Sequence, residues 1–526
     1  MRSVMLGAVF PRPAMNTVHW TALLVFTGFF LLVTVIGFMA ARWHGGWRPG
    51  KKGVAISLAS LDEWGLGGRR FGTLVTWFLI GGEAYTAYTI VAVPALVYGV
   101  GGYGFFPVPY AVFGYPFMLV ALPRFWRLCH SRGYVTLADF VRGSFESRWL
   151  GVAFALTGIL ATMPYIALQL VGMQMAIAAL GVNGEWPLIV AFLVLAAFTY
   201  TSGMRAPALI AVLKDLMLWV MVLAAILVIP AKLGGYAHIF QAAGTALAQH
   251  HPPAALVLGP GQYWAYSTLA LGSMLALFLY PHNITAILSS GSAQAIQRNA
   301  AWLQGYNVLL ALVALMGYMA LAAGIQTKTP NMVVPLLFMK MFPEWFAGFC
   351  MAAIGVGALV PAAIMSIGAA NLVTRNLWGE FQRRPMTAAR EATMAKVVSL
   401  VVKAGALAFG IGLPLAYAIQ LQLLGGVWMV QLMPGLLSGL LAKEGKRVSS
   451  AALLAGWVVG MVSGTAMVAS LHLKSSIYTV HLFGGTYPMY AAIPSVVLNA
   501  LCVLAVEGLV RALGRTSGRP SVITAS

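Results

Sequence analysis

Residues 79–102, Leu-Ile-Gly-Gly-Glu-Ala-Tyr-Thr-Ala-Tyr-Thr-Ile-Val-Ala-Val-Pro-Ala-Leu-Val-Tyr-Gly-Val-Gly-Gly, are apolar enough and long enough to cross a bilayer. They nevertheless carry an acid at Glu83, hydroxyls at Thr86 and Thr89, and Pro94. Hydrocarbon offers such groups no hydrogen-bond partner, so the stretch is stable in a membrane only when other protein segments surround it. Apolar runs recur near 17–41, 71–99, 104–123, 149–180, 186–204, 206–229, 262–289, 300–324, 345–374, 395–418, 420–442, 449–470 and 485–510. They predict an all-α polytopic membrane protein of about thirteen spanning helices. The run at 17–41 is too long for a signal-peptide core and has no small-residue cleavage pattern, so it reads as a retained leading helix, with Met15 an alternative start to Met1.

Composition excludes the soluble alternatives. Hydrophobic residues make up 60% of the 526 positions and charged ones 8%, where an ordinary soluble domain carries about 25% charged residues. The net charge of +20 sits in short clusters between apolar runs, which is a topology signal rather than a nucleic-acid surface. Arg42, Arg48, Lys51, Lys52, Arg69 and Arg70 form one cluster, Arg124, Arg127, Arg132, Arg142 and Arg148 a second, and Arg375, Arg383, Arg384, Arg390 and Lys396 a third. Lys443, Lys446, Arg447 and the tail with Arg511, Arg515 and Arg519 fall on the same side, whereas the opposite loops hold mainly Lys232, Lys328, Lys340 and Lys474. An odd number of spans with this alternation places the amino terminus outside and the carboxyl tail, 511–526, in the cytoplasm.

Cys129, Cys350 and Cys502 are far apart and imply neither a disulfide framework nor a metal centre, and no cofactor is expected. His238, His250 and His251 in the 231–261 loop read as surface residues rather than zinc ligands. No Gly-x-x-x-x-Gly-Lys-Ser/Thr is present and no loop is long enough for a catalytic domain, so transport would be driven by ions rather than by ATP hydrolysis in this chain.

The ionisable residues within apolar runs are Glu83, Lys214, Asp215 and, less deeply, Lys403, and such residues usually face a protein interior or a watery cavity. Gly81-Gly82 and Pro94 both weaken regular helix, which predicts a discontinuous helix broken at Gly81 and Pro94 and lining a central site. The bland alternative is a kinked helix with Glu83 in a buried hydrogen bond. On an intact helix Glu83, Thr86 and Thr89 would share a face. Lys214 and Asp215 are adjacent, hence about 100° apart on a helix, and are not expected to face each other. Either each pairs with another helix, fixing packing, or Asp215 faces inward while Lys214 snorkels to the inner interface. A second proline-interrupted run, Phe278-Leu-Tyr-Pro-His-Asn-Ile-Thr285, with its break at Pro281, suggests repeat-related halves around a midplane site. His282 there is a proton relay or a hydrogen-bonding residue at a helix end.

Several short motifs in order resemble the sodium:solute symporter family: Gly65-Leu66-Gly67-Gly68-Arg69, Tyr134-Val-Thr-Leu-Ala-Asp-Phe140, Gly203-Met204-Arg205-Ala206 with Lys214-Asp215, Tyr280-Pro281-His282, and Thr374-Arg375-Asn376-Leu377-Trp378. Glu83-Ala-Tyr-Thr-Ala-Tyr-Thr, Val93-Pro-Ala-Leu-Val-Tyr98, Arg298-Asn-Ala-Ala301 and Val360-Pro-Ala-Ala-Ile-Met-Ser366 are similar to bacterial monocarboxylate permeases within it. The resemblance implies a leucine-transporter-like core of two inverted five-helix repeats, 71–229 and 262–443, with one leading helix at 17–41 and two trailing ones in 449–510. It implies cation-coupled import of small monocarboxylates such as lactate, pyruvate or acetate through the bacterial inner membrane. A symporter for proline, pantothenate or a sugar, or a membrane sensor that moves no solute, are the rivals. The implied binding residues are Gly82, Glu83, Tyr85, Thr86, Thr89, Asp215, Tyr280, His282, Gly357 and Ser366, with sodium near Gly82, Tyr85, Gly357 and Ser366. An ungapped alignment from Thr374, however, places Val360 and Pro361 where the family carries sodium-binding hydroxyls. Glu83 therefore becomes the residue expected to carry a proton or help hold a cation, so that the coupling ion is Na+ or H+.

Overall fold

The computed structural model describes residues 17–43, 58–412, 415–443 and 445–513. The alternative start at Met15 and the basic residues Arg48, Lys51, Lys52, Arg515 and Arg519 lie outside the described residues. The leading helix α1 is Trp20–Met39. The first half then contains α2 (Thr73–Ala84), α3 (Ala87–Val100), α4 (Pro107–Ser131), α5 (Arg148–Ala179), α6 (Trp186–Ser202) and α7 (Arg205–Lys232). The second half contains α8 (Tyr263–Leu277), α9 (Pro281–Leu288), α10 (Gln304–Ala322), α11 (Glu344–Leu372), α12 (Ala388–Gly412), α13 (Leu415–Val430) and α14 (Met433–Leu441). Two trailing helices, α15 (Ser450–Ser470) and α16 (Ala492–Ala512), complete the bundle.

Among the described residues, ten helices are long and apolar enough to cross a membrane, and an eleventh span arises if the bent pair α8 and α9, at 46°, is taken as one. The expected count of thirteen is not reached by this measure. Breaks divide apolar runs into pieces too short to qualify, and Thr89–Phe105 and Trp186–Ser202 remain as shorter apolar helices.

Helix α11 is the central post, and its most apolar window is entirely buried. It packs against α1, α5, α7, α9 and α12. Small residues make this possible: a Cβ on Gly348 would fall 2.3 Å from the Ala22 carbonyl oxygen, and one on Gly368 would fall 3.0 Å from that of Pro281. Backbone-to-backbone approach of this kind replaces the hydrophobic driving force that helices lack within lipid. Helices α15 and α16 pair mainly with each other and keep large apolar side chains such as Val462, Leu501 and Leu504 exposed, as lipid-facing helices do.

The all-helical expectation misses one element. Strands β1 (Ile477–Leu482) and β2 (Gly485–Tyr490) form an antiparallel hairpin in the register Ile477 to Tyr490, so the apolar run read from 485 begins as a strand and becomes helical only at Ala492. The 231–261 loop also contains a surface helix, Tyr236–Ala248.

Candidate transport site

The first break does not fall where the residue types suggested. Gly81 lies inside α2 and Pro94 inside α3, while the chain departs from helix at Tyr85 and Thr86. The glycines serve close packing: a Cβ on Gly81 would fall 2.5 Å from the Tyr306 ring, and one on Gly82 would fall 2.8 Å from Lys214 Nζ and 2.9 Å from Asp215 Oδ2. Pro94 sits where α10 passes, its carbonyl 2.5 Å from the position of a Cβ on Gly317. Thr86 is the N-cap of α3, its hydroxyl accepting from the Thr89 amide at 3.2 Å, so Glu83, Thr86 and Thr89 do not form the single helical face expected of an intact helix.

The second break does coincide with its proline. Helix α8 ends at Leu277, Phe278 to Tyr280 are non-helical, and Pro281 opens α9, where a missing amide donor costs nothing. Asn283 donates from Nδ2 to the Leu277 carbonyl at 2.5 Å, tying the two half-helices together across the break. The amino terminus of α9 has no side-chain cap.

Between the breaks lies a small cavity of about 60 Å³, room for a few water molecules. Glu83 from α2, Tyr165 from α5, Tyr280 and His282 from the second break, Gln422 from α13 and Tyr490 from the hairpin line it, together with Phe106, Tyr110 and Leu277. Neither carboxyl oxygen of Glu83 has a hydrogen-bond partner among the described residues, and the nearest basic atom recorded is His282 Nε2 at 3.9 Å. His282 Nδ1 and Gln422 Oε1 are likewise buried without a partner. The rings of Tyr165, Tyr280 and His282 meet at centroid distances of 5.4 to 5.7 Å. Buried polar atoms left open in this way cost about 1–3 kcal/mol each unless water or a ligand completes them.

A second cluster lies behind the first break. Lys214 Nζ donates to the carbonyls of Gly82 at 2.5 Å and Tyr85 at 3.2 Å, and it pairs with Asp215 Oδ1 at 2.9 Å. Both side chains are at most 1% exposed. Each residue does pair with another helix, Lys214 with α2 and Asp215 with Tyr306 of α10, and Lys214 does not snorkel; the expectation that the two do not face each other is corrected, since they also meet at 2.9 Å. The ammonium instead sits on carbonyls at the negative end of α2, of which that of Gly82 also accepts from the Tyr85 amide at 3.2 Å. Tyr306 donates to Asp215 Oδ2 at 2.6 Å and packs its ring 5.0 Å from that of Tyr85.

The predicted residues therefore divide. Glu83, Tyr280 and His282 meet in the cavity; Gly82, Tyr85 and Asp215 belong to the Lys214 cluster; Thr86 and Thr89 cap α3. Gly357 packs near Ile90 Cδ1, whereas Ser366 donates to Ala363 O at 2.7 Å and accepts from Ser399, which accepts from Lys403 at 2.6 Å. Lys403 is thus fully buried rather than peripheral, at 1% exposure. The residues not foreseen are Tyr165, Gln422, Tyr306 and Tyr490. An amide at 422 within an apolar run was a readable signal, whereas the aromatic residues look like core in sequence.

Residues 64–460 match the description "Sodium:solute symporter family". The chain belongs to that family. The symporter is 50% identical over 495 residues, 94% of its length and 98% of the relative's, to a protein of Rhizobium johnstonii named "Monocarboxylate transport permease protein". It is 30% identical to the "Uncharacterized symporter YodF" of Bacillus subtilis, over 93% of this chain and 96% of that one. Among solved structures it shares its leucine-transporter-like fold with a Na+-coupled sialic acid symporter in a substrate-bound outward-open state, at a TM-score of 0.73 and 14% identity, covering 94% and 97% of the two chains. The symporter is thus a multi-pass membrane transporter, and the observed helix bundle accords with the match.

Sodium at Gly82, Tyr85, Gly357 and Ser366 does not fit this symporter. The two carbonyls are already taken by an ammonium, and Ser366 by a hydrogen-bond chain that ends on a second one. Gly357 and Ser366 are nine residues apart on the unbroken α11, about 13 Å along its axis, so one ion does not touch both.

The expected cytoplasmic side is laced by ion pairs. Arg205, 1% exposed, donates to Glu63, which also pairs with Arg70 at 2.7 Å, so Arg205 is a buried structural cation rather than a free interfacial charge. Its helix starts after Gly203, whose positive φ of 57° brings the chain so close to Trp64 that a Cβ would meet the Trp64 carbonyl at 2.2 Å. Asn376 donates to Asp139 at 2.6 Å and accepts from Thr136 at 2.7 Å, joining α11's carboxyl end to the segment before α5.

Proposed function

We propose that the chain imports small monocarboxylates such as lactate, pyruvate or acetate, together with a cation, by alternating access through the bacterial cytoplasmic membrane. The observation that carries this reading is the cavity between two broken helices, in which Glu83 and His282 present buried polar atoms with no hydrogen-bond partner among the described residues. The name of the Rhizobium johnstonii relative supports the substrate class. The paired breaks, one opening each half, support reading 71–229 and 262–443 as inverted repeats. The loop charges support an external amino terminus.

In this reading the carboxylate of the acid lies at the uncapped amino terminus of α9, where backbone amides and the helix dipole favour an anion. The short carbon chain lies among the rings of Tyr165 and Tyr280. Glu83 faces the same space, and two carboxylates there are compatible only if a proton or cation accompanies them. Glu83 is the group placed to carry that proton.

The test is uptake of labelled lactate and pyruvate into proteoliposomes, with sodium and pH gradients imposed separately. Accumulation above equilibrium, inhibited by other short monocarboxylates, is the expected result. Accumulation of proline, pantothenate or a sugar in their place would overturn the substrate assignment, and binding without movement would indicate a sensor.

A further inference from the structure

We infer that the ammonium of Lys214 is the resident cation of the α2–α3 break, holding by tether the position that a sodium ion would need, so that transport proceeds without sodium. The inference deepens the reading of the chain as a cation-coupled transporter and rests on it only for its transport assay.

Three features define the place. It lies at the carboxyl end of a half-helix, where freed carbonyls and the dipole favour a cation. Its donors are all hard oxygens: the carbonyls of Gly82 and Tyr85 and the carboxylate of Asp215. Its charge is balanced, because one buried ammonium meets one buried carboxylate. Oxygen sets of this composition suit hard metal ions, and Lys214 Nζ hydrogen-bonds both carbonyls of this one and lies 2.9 Å from its carboxylate. A sodium ion added to the same oxygens would meet a full positive charge at contact distance in a dry interior, where like-charge repulsion is poorly screened.

The glycine at 82 ties this arrangement to the local sequence. A Cβ there would strike both Lys214 Nζ at 2.8 Å and Asp215 Oδ2 at 2.9 Å, so the break accepts the lysine only because that position is bare. Tyr306 fixes the carboxylate from the other side through its 2.6 Å hydrogen bond. The other expected oxygen ligand is also committed to an ammonium, since the Ser366 hydroxyl leads through Ser399 to Lys403.

Removing the tethered charge should convert the place into a sodium site, because Lys214→Ala leaves a carboxylate and two carbonyls around a vacated position. The experiment compares purified full-length wild type and Lys214→Ala in sodium chloride and in choline chloride at equal ionic strength, reading melting temperature without substrate and uptake with labelled pyruvate. The wild type should melt at the same temperature in both salts. Lys214→Ala should melt lower in choline and recover several degrees in sodium, as expected for an ion that binds the folded state. Equal sodium shifts in both proteins, or none in the variant, would overturn the inference. Should Lys214→Ala fail to fold in either salt, wild-type uptake decides: a rate unchanged within about twofold on replacing sodium by choline supports the inference, and a strict sodium requirement overturns it. Failure of the wild type to move any monocarboxylate would count against the substrate reading alone, because the melting comparison needs no substrate.

Discussion

Glu83 is a buried acid whose oxygens have no hydrogen-bond partner among the described residues, yet it sits in a helix that is otherwise well packed. Replacing it by glutamine keeps the shape and removes the ability to gain or lose a proton. Glu83→Gln should therefore abolish accumulation of the acid against its gradient while leaving membrane insertion and melting temperature unchanged, as checked by vesicle uptake and by thermal unfolding in detergent. Concentrative uptake at the wild-type level would show that Glu83 carries no coupling role. Tyr306 acts one step behind the break, through Asp215. Tyr306→Phe leaves a buried carboxylate oxygen short of a donor, at a cost of about 1–3 kcal/mol. A lowered melting temperature in thermal unfolding should result, and an unchanged one would show that the hydroxyl does not hold Asp215 in place. Gly82→Ala should be worse than its size suggests, because Asp215 is a short side chain held in place and cannot retreat as easily as Lys214.

At the scale of elements, the two breaks are made in different ways. The first is held open from another helix by Lys214 of α7 on the end of α2, with Thr86 capping the start of α3 locally. The second is written in local chemistry, with Pro281 at the start of α9 and Asn283 bridging back to α8. Thr86→Val removes the α3 cap and should cost about 0.5–2 kcal/mol, a fall in melting temperature measurable by differential scanning fluorimetry. The site was only partly legible for the same reason. Pro281 could be read as a break because a proline lacks a donor wherever it stands. Gly81 and Pro94 were misleading, since a glycine can serve close packing, as against Tyr306, and a proline can remain within a helix packed against Gly317. Lys214 and Asp215 were recognised as intramembrane charges, but their partners come from α2 and α10, more than 80 residues away in the chain.

For the whole molecule, the proposed orientation would put the hairpin of β1 and β2 outside and the Glu63, Arg205, Asp139 and Asn376 network in the cytoplasm. Phe483 at the hairpin tip is fully exposed. A Phe483→Cys variant in a background with the three native cysteines replaced should react in intact cells with a membrane-impermeant maleimide. Labelling only after the membrane is opened would reverse the topology. The hairpin also reaches inward, because Tyr490 donates to the Leu423 carbonyl at 2.6 Å and lines the cavity. The trailing segment therefore supplies part of the cavity wall.

What the sequence by itself determined is the class of molecule and its approximate layout: apolar runs of spanning length with basic clusters between them, buried acids and lysines that mark an interior, and a family resemblance carried by ordered motifs. These properties are local, since hydropathy and charge act on each segment wherever its neighbours are. Tertiary structure alone decided which charges meet. It set Glu83 facing the cavity, its oxygens without a hydrogen bond among the described residues, and Lys214 on the carbonyls of Gly82 and Tyr85, which flank Glu83 in the chain. In a low-dielectric interior the energy of a charge depends on the few atoms within bonding distance. Those atoms come from helices distant in sequence, and only their packing brings them to one place.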